Sequence, residues 1–208
     1  MSQTLPDFAR AADAICEAGR LLDGRGMAPA SSGNYSMRLD DGSLALTVSG
    51  HHKGRLEPDM IMRVSMDGTP LEAKTPSAET RLHCQIYDLC PEANAILHVH
   101  SRAGAVLSRV VDGDIVLEGY EMLKAFRGID THDSRVTLPV VPNSQDMGVL
   151  SADVAKVLNP RLPYIIRDHG FYAWGASMKE TLIICEALDY LLSCELDVMQ
   201  LKALTRRS

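Results

Sequence analysis

Two histidines stand one residue apart in Ala95-Ile96-Leu97-His98-Val99-His100-Ser101, and a third stands in a distant Asp168-His169-Gly170. Side chains on a strand alternate between faces, so His98 and His100 point the same way and both imidazoles can reach one ion. A third imidazole from another segment makes a three-nitrogen site with an open fourth position, the arrangement of a catalytic zinc. Spacing alone leaves an ordinary surface pair as an equal reading. The surroundings favour the metal: residues 93–99 are apolar, so the pair ends a buried strand, and Tyr164-Ile165-Ile166-Arg167 reads as a second buried strand running into a turn at Gly170. Strand ends and their loops are where scaffolds carry function.

Three small polar loops add a second kind of chemistry. Ser31-Ser32-Gly33-Asn34, Thr47-Val48-Ser49-Gly50 and Pro76-Ser77-Ala78-Glu79 each offer backbone N–H groups with a hydroxyl or an amide, which is what a phosphate needs. The third opens a helix, whose dipole favours an anion, and Lys53 can add a formal charge. Taken singly each loop is a plain turn or cap, Ser77 being a good N-cap. Together, beside a metal site, they read as a phosphate pocket. Glu79, in the expected first turn of a helix, is either a dipole-compensating charge or a metal ligand or proton carrier. Glu121, in Glu118-Gly119-Tyr120-Glu121-Met122-Leu123-Lys124, also stands where a loop meets a helix. His83 reads as a helix-face residue, and His51, His52 and His132 as solvated.

The elements that must hold these residues follow from periodicity. Residues 7–22 carry a helical apolar face, closed by Gly24 and Gly26. Residues 34–39 and 43–49 flank Asp40-Asp41-Gly42 as a hairpin, and residues 59–65 and 70–73 read as another. Helices are expected over 78–90, 102–109, 121–129, 144–158 and 177–204, and strands over 96–100, 115–117, 136–141, 164–168 and 170–174. Early hairpins followed by alternating helices and strands make an α/β mixed sheet with helices on its faces, in a single domain over residues 1–208.

The chain has 208 residues, 46% hydrophobic and 23% charged, with net charge −6. That balance argues against nucleic acid or an anionic membrane as partner, since both ask for a basic surface. No apolar run is long enough to span a bilayer, and the first residues lack the layout of a signal peptide, so a cytoplasmic protein is expected. Five scattered cysteines in apolar contexts read as reduced, packed thiols.

Five motifs, Ser32-Gly33-Asn34, Val48-Ser49-Gly50, Pro76-Ser77-Ala78-Glu79, His98-Val99-His100-Ser101 and His169-Gly170-Phe171-Tyr172-Ala173-Trp174-Gly175, occur in an order and spacing that resembles the class II (zinc-dependent) sugar-phosphate aldolase superfamily. The resemblance covers nearly the whole chain. It implies a three-layer α/β/α sandwich around a mostly antiparallel mixed sheet, and one Zn2+ per subunit on His98, His100 and His169. It also implies a sugar-phosphate substrate held by Ser32, Asn34, Ser49, Gly50 and Ser77, and a homotetramer with sites between subunits. Three imidazoles also accept iron, manganese or cobalt.

Within the superfamily, residues 118–124 with Gly128-Ile129 and Thr131-His132 resemble the dehydratase family of methionine salvage that acts on methylthioribulose 1-phosphate. This places the catalytic glutamate at Glu121. It implies a lyase in which a zinc-stabilised enediolate forms, Glu121 takes the C3 proton, and the same carboxyl returns it to the departing C4 hydroxyl. One group serving as base and acid needs a pKa near working pH, so Glu121 is expected in a partly apolar pocket. Glu79 matches the aldolases' base and resting metal ligand, and can be ligand, second base or structural here. The alternatives are an aldolase or epimerase for fuculose, rhamnulose or ribulose phosphates, or a non-catalytic binding module. The last tyrosine is Tyr190, so no tail tyrosine follows of the kind some aldolases use as a proton donor. Binding modules of this fold lack the metal histidines, and all three are present.

Overall fold

A computed structural model describes residues 4–205. Helix α1 (Phe8–Gly24) starts at Asp7, whose carboxylate accepts the Arg10 N–H at 2.9 Å. The expected hairpin follows as β1 (Asn34–Arg38) and β2 (Leu44–Thr47), with Gly42 in the left-handed conformation its turn needs. Strand β3 (Ile61–Val64) pairs with β2, but the partner strand expected over 70–73 does not form; Pro70 makes only an isolated bridge to Val64. Then come α2 (Thr80–Leu89), β4 (Ala95–Val99), α3 (Arg102–Val110), and a separate hairpin of β5 (Ile115–Glu118) with β6 (Arg135–Leu138). Strand β7 (Val140–Val141), α4 (Met147–Val157), β8 (Tyr164–Ile166), β9 (Gly170–Gly175) and α5 (Met178–Thr205) complete the chain.

Seven strands form one sheet in the order β3-β2-β1-β4-β9-β8-β7, antiparallel throughout except for β7 with β8. Alternation along the central strands sorts side chains into two cores. Leu97 and Val99 of β4 and Phe171 and Ala173 of β9 pack with Ile15, Leu107 and Leu188 of α1, α3 and α5. Ile96, Tyr172 and Trp174 pack on the other face with Leu82 and Ile86 of α2 and Val154 of α4. The molecule is thus the expected three-layer α/β/α sandwich, and because helices cover both faces, β4 is buried end to end.

Two further expected elements came out differently. The strand over 136–141 is broken at Pro139, which has no N–H for a ladder; β6 stays with β5 while β7 crosses to β8. The helix over 121–129 is a short 3-10 stretch, Glu121–Ala125. Tyr120, Leu123, Phe126 and Ile129 recur every third residue, and the N–H of each of the last three donates to the carbonyl three residues back. A period of three matches the 3-10 turn and not the α-helix. Along α5, Leu188 and Leu192 are buried, whereas Met199 is exposed.

Candidate active site

Register brings the site together. Asn34 of β1 pairs with His98 of β4, and His98 pairs with Tyr172 of β9. Residues directly opposite one another share a face, so these three form one row at the end of the sheet. His100 lies just past β4, its N–H donating to the Met27 carbonyl at 2.9 Å. His169 sits on the β8–β9 turn. Asp168 there adopts a left-handed φ of 57°, and its N–H donates to the Ser108 hydroxyl at 3.1 Å. Arg167 anchors the same turn to the carbonyls of Ser108 and Val111. Next to it Gly170 has no room for a side chain: a Cβ would stand 2.1 Å from the Val99 carbonyl oxygen.

The three expected histidines converge, their ligand nitrogens all within 4.8 Å of one another. His98 Nδ1 lies 3.1 Å from the Phe171 carbonyl, which can only accept, so Nδ1 carries the proton and Nε2 keeps a lone pair. That lone pair faces His100 Nε2 at 3.1 Å. Burial pushes the His98 imidazole down to about 4, against the pull of Glu79. Burial, with His98 and His169 beside it, pushes His100 down to about 3. His169 Nδ1 is buried without a partner. Neutral nitrogen donors crowded around one point, with an open side toward a cavity, fit a divalent metal ion.

Glu79 is not in the first turn of α2, as the sequence suggests, but at its N-cap position, and its side chain is only 13% exposed. Its Oε2 accepts from Asn34 Nδ2 and from the Tyr172 hydroxyl, both at 2.9 Å, and lies 3.3 Å from His98 Nε2. Its Oε1 faces His169 Nε2 at 3.7 Å. Burial would raise this carboxyl; His98, the Asn34 amide, His169 and the Tyr172 hydroxyl outweigh it and hold the group at about 2. The reading of Ser77 as N-cap is modified too: α2 begins at Thr80, and Ser77 accepts the Glu79 N–H through its hydroxyl at 3.3 Å.

A cavity of about 300 Å³ opens beside His169 and Glu79. Asn34, Ser49, Gly50 and Ser77 line it as expected, with Lys53 and the segment Asn143-Ser144-Gln145. Ser32 does not line it; its hydroxyl is buried without a partner. Asn34 is committed elsewhere, both ends of its amide being hydrogen-bonded. Lys53 is almost fully buried, donates to the carbonyls of Ser31 and His51 at 2.9 and 2.6 Å, and is pushed down to about 8 by burial.

Glu121 departs from expectation. Its side chain is 69% exposed, bonded to Lys124 at 2.6 Å and 3.8 Å from His132, and it does not line the cavity of its own chain. The partly apolar pocket expected for it is not formed within one chain, and the Lys124 contact lowers its carboxyl. The 3-10 stretch explains the placement: with Leu123 and Phe126 turned into the core, Glu121 is left on the outer side. Sequence reasoning missed Tyr172 and assigned His83 to a helix face. His83 is fully buried. Its place four residues after Glu79, on the same side of α2, was the available signal.

Comparison with known proteins agrees with this geometry. Residues 13–196 match the family described as Class II Aldolase and Adducin N-terminal domain. A methylthioribulose-1-phosphate dehydratase of Methylococcus capsulatus is 50% identical over 91% of this chain and 94% of its own. That of Hahella chejuensis is 46% identical over 96% and 99%. Among solved structures, L-fuculose-1-phosphate aldolase of Thermus thermophilus superposes with a TM-score of 0.78 at 23% identity, over 94% of this chain and 98% of that one. YgbL of Klebsiella pneumoniae, described as a putative aldolase/epimerase/decarboxylase, gives 0.80 at 24% over 92% and 91%. The structural likenesses speak for the fold, the sequence relatives for the branch. The chain belongs to the class II aldolase and adducin N-terminal domain family and, within it, to the methylthioribulose-1-phosphate dehydratases.

Proposed function

We propose that this chain, as one domain over residues 1–208, is a cytoplasmic lyase of methionine salvage. It dehydrates 5-methylthioribulose 1-phosphate to 5-methylthio-2,3-dioxopentyl phosphate, with one Zn2+ per subunit on His98, His100 and His169. The observation that carries the reading is the meeting of three convergent imidazoles with a polar cavity lined by the buried Lys53 ammonium. The relatives' shared name selects dehydration over the aldolase and epimerase alternatives.

His98, His100 and His169 would hold the zinc, which when bound would supply Lewis acidity to the ketose and make its C3 proton more acidic. Lys53, Ser49, Gly50 and Ser77 hold the phosphate and so fix the sugar's register against the histidines. Asn34 serves the same pocket by orienting Glu79. Glu121 takes the C3 proton and gives it to the departing C4 hydroxyl, which leaves as water, and the C3 enol that remains tautomerises to the ketone as its hydroxyl proton is lost and C4 is protonated. Glu121, exposed on its own chain, would act in the site of a neighbouring copy within the homotetramer that the resemblance implies. Glu79 stays an anion beside the histidines, as ligand or second base.

The test is incubation of the metal-loaded protein with 5-methylthioribulose 1-phosphate, followed by NMR. Loss of the C3 proton and the C4 hydroxyl with appearance of the 2,3-diketone is the expected result. Release of dihydroxyacetone phosphate moves the assignment to an aldolase.

A further inference from the structure

Behind Glu79 a line of buried polar groups crosses the space between the sheet and α2. Asn34 Oδ1 lies 2.5 Å from His83 Nε2, His83 Nδ1 lies 2.7 Å from the Ser36 hydroxyl, and that hydroxyl lies 2.9 Å from the Tyr87 hydroxyl. Ser36, His83 and Tyr87 are essentially inaccessible to solvent. Nothing in the proposed chemistry uses His83, yet an imidazole in a core is costly unless both nitrogens are satisfied.

The proton positions along this line follow from its end. An ionised carboxylate only accepts, so Asn34 must turn its Nδ2 to Glu79 and its Oδ1 to His83. The Oδ1 accepts in turn, so His83 carries its proton on Nε2. Its Nδ1 therefore accepts from the Ser36 hydroxyl, which accepts from Tyr87. Every donor along the line points toward Glu79. Oε2 takes both the Asn34 N–H and the Tyr172 O–H, while Oε1 remains turned toward His169, beyond hydrogen-bond distance.

We propose that His83 is a positioning residue: by fixing the orientation of the Asn34 amide, it makes Glu79 present one oxygen, Oε1, to the three-histidine site. The hydrogen-bond geometry stands without the dehydratase reading; the catalytic consequence rests on it. Without the Nε2–H donor the Asn34 carbonyl loses its anchor, the amide can swing away from the carboxylate, and Glu79 loses its fixed aim.

Nitrogen-15 NMR of the metal-free protein, labelled at histidine, tests the direction of the line. His83 should carry its proton on Nε2 alone, and should keep it there in Ser36→Ala, because the Glu79 end of the line sets the direction through the Asn34 amide. A wild-type His83 protonated on Nδ1 overturns the proposal. Kinetics test the consequence in metal-loaded protein of verified stoichiometry. His83→Phe and Ser36→Ala should lower kcat by about 10–100-fold, the usual cost of losing a group that orients a metal-site residue, with KM little changed. His83→Gln, which keeps an N–H toward Asn34, should recover most of the loss. Variants that lose thermal stability but keep wild-type kcat would show His83 to be purely structural. If His83→Phe does not fold, Ser36→Ala and the tautomer decide. A wild-type protein with the expected tautomer but no dehydration would instead sink the functional reading.

Discussion

At the residue scale the distinctive group is Lys53, a buried cation whose partners are backbone carbonyls. Burial without a counter-charge disfavours the ammonium, which is why it is pushed down to about 8. An arriving phosphate supplies the missing charge. Lys53→Met should raise KM about 10–100-fold, the value of one hydrogen bond to a charged group, with metal content unchanged. The pH dependence follows in sign: as pH rises through about 8 the ammonium loses its proton and KM climbs, and this limb should be flat in Lys53→Met. A KM that does not respond to the substitution would remove Lys53 from the phosphate site.

At the scale of elements, the metal centre depends on how closely the β8–β9 turn approaches the end of β4. Gly170 makes that approach possible, since a Cβ there would meet the Val99 carbonyl at 2.1 Å and the His100 backbone at 3.2 Å. Gly170→Ala must push the turn outward and carry His169 with it. The expected cost is about 1–3 kcal/mol of stability in urea unfolding, the range for overpacking, together with weakened metal binding. Metal retained at wild-type affinity would show that the turn yields without moving His169. The 3-10 stretch is the second element with a functional result, because its period of three turns Leu123 inward and leaves Glu121 on the surface.

At the scale of the whole molecule two consequences follow. If Glu121 works in a neighbour's site, His98→Ala and Glu121→Gln proteins should each be inactive alone and regain activity when mixed under subunit exchange. Glu121→Gln alone should lose about 10²–10⁴-fold in kcat, the usual contribution of a general acid–base, while keeping its metal. No recovery on mixing would place Glu121 in its own chain's site. The second consequence concerns acid. His83, His98 and His100 are held neutral at about 3, 4 and 3, below the roughly 6.5 of an unfolded histidine. Between those values the unfolded chain binds more protons than the folded one, so stability falls as pH drops below about 6.5. Thermal unfolding of the metal-free protein between pH 7 and about 4 checks this; a flat profile would mean the imidazoles are solvated.

What the chain shows by itself is what local pattern encodes. The α1 face, the turn at Asp40-Asp41-Gly42, the apolar run of β4 and the period-two spacing of His98 and His100 are properties of contiguous residues, and the fold keeps them. Local pattern also explains two of the misread elements once the period of three and Pro139 are taken at face value. What tertiary structure alone decided is register between distant strands. Nothing within β1, β4 or β9 states that Asn34, His98 and Tyr172 stand in one row, or that α2 lays His83 against it. Strand pairing is set by packing on both faces of the sheet, and shifting it by one residue would turn every one of these side chains to the opposite layer.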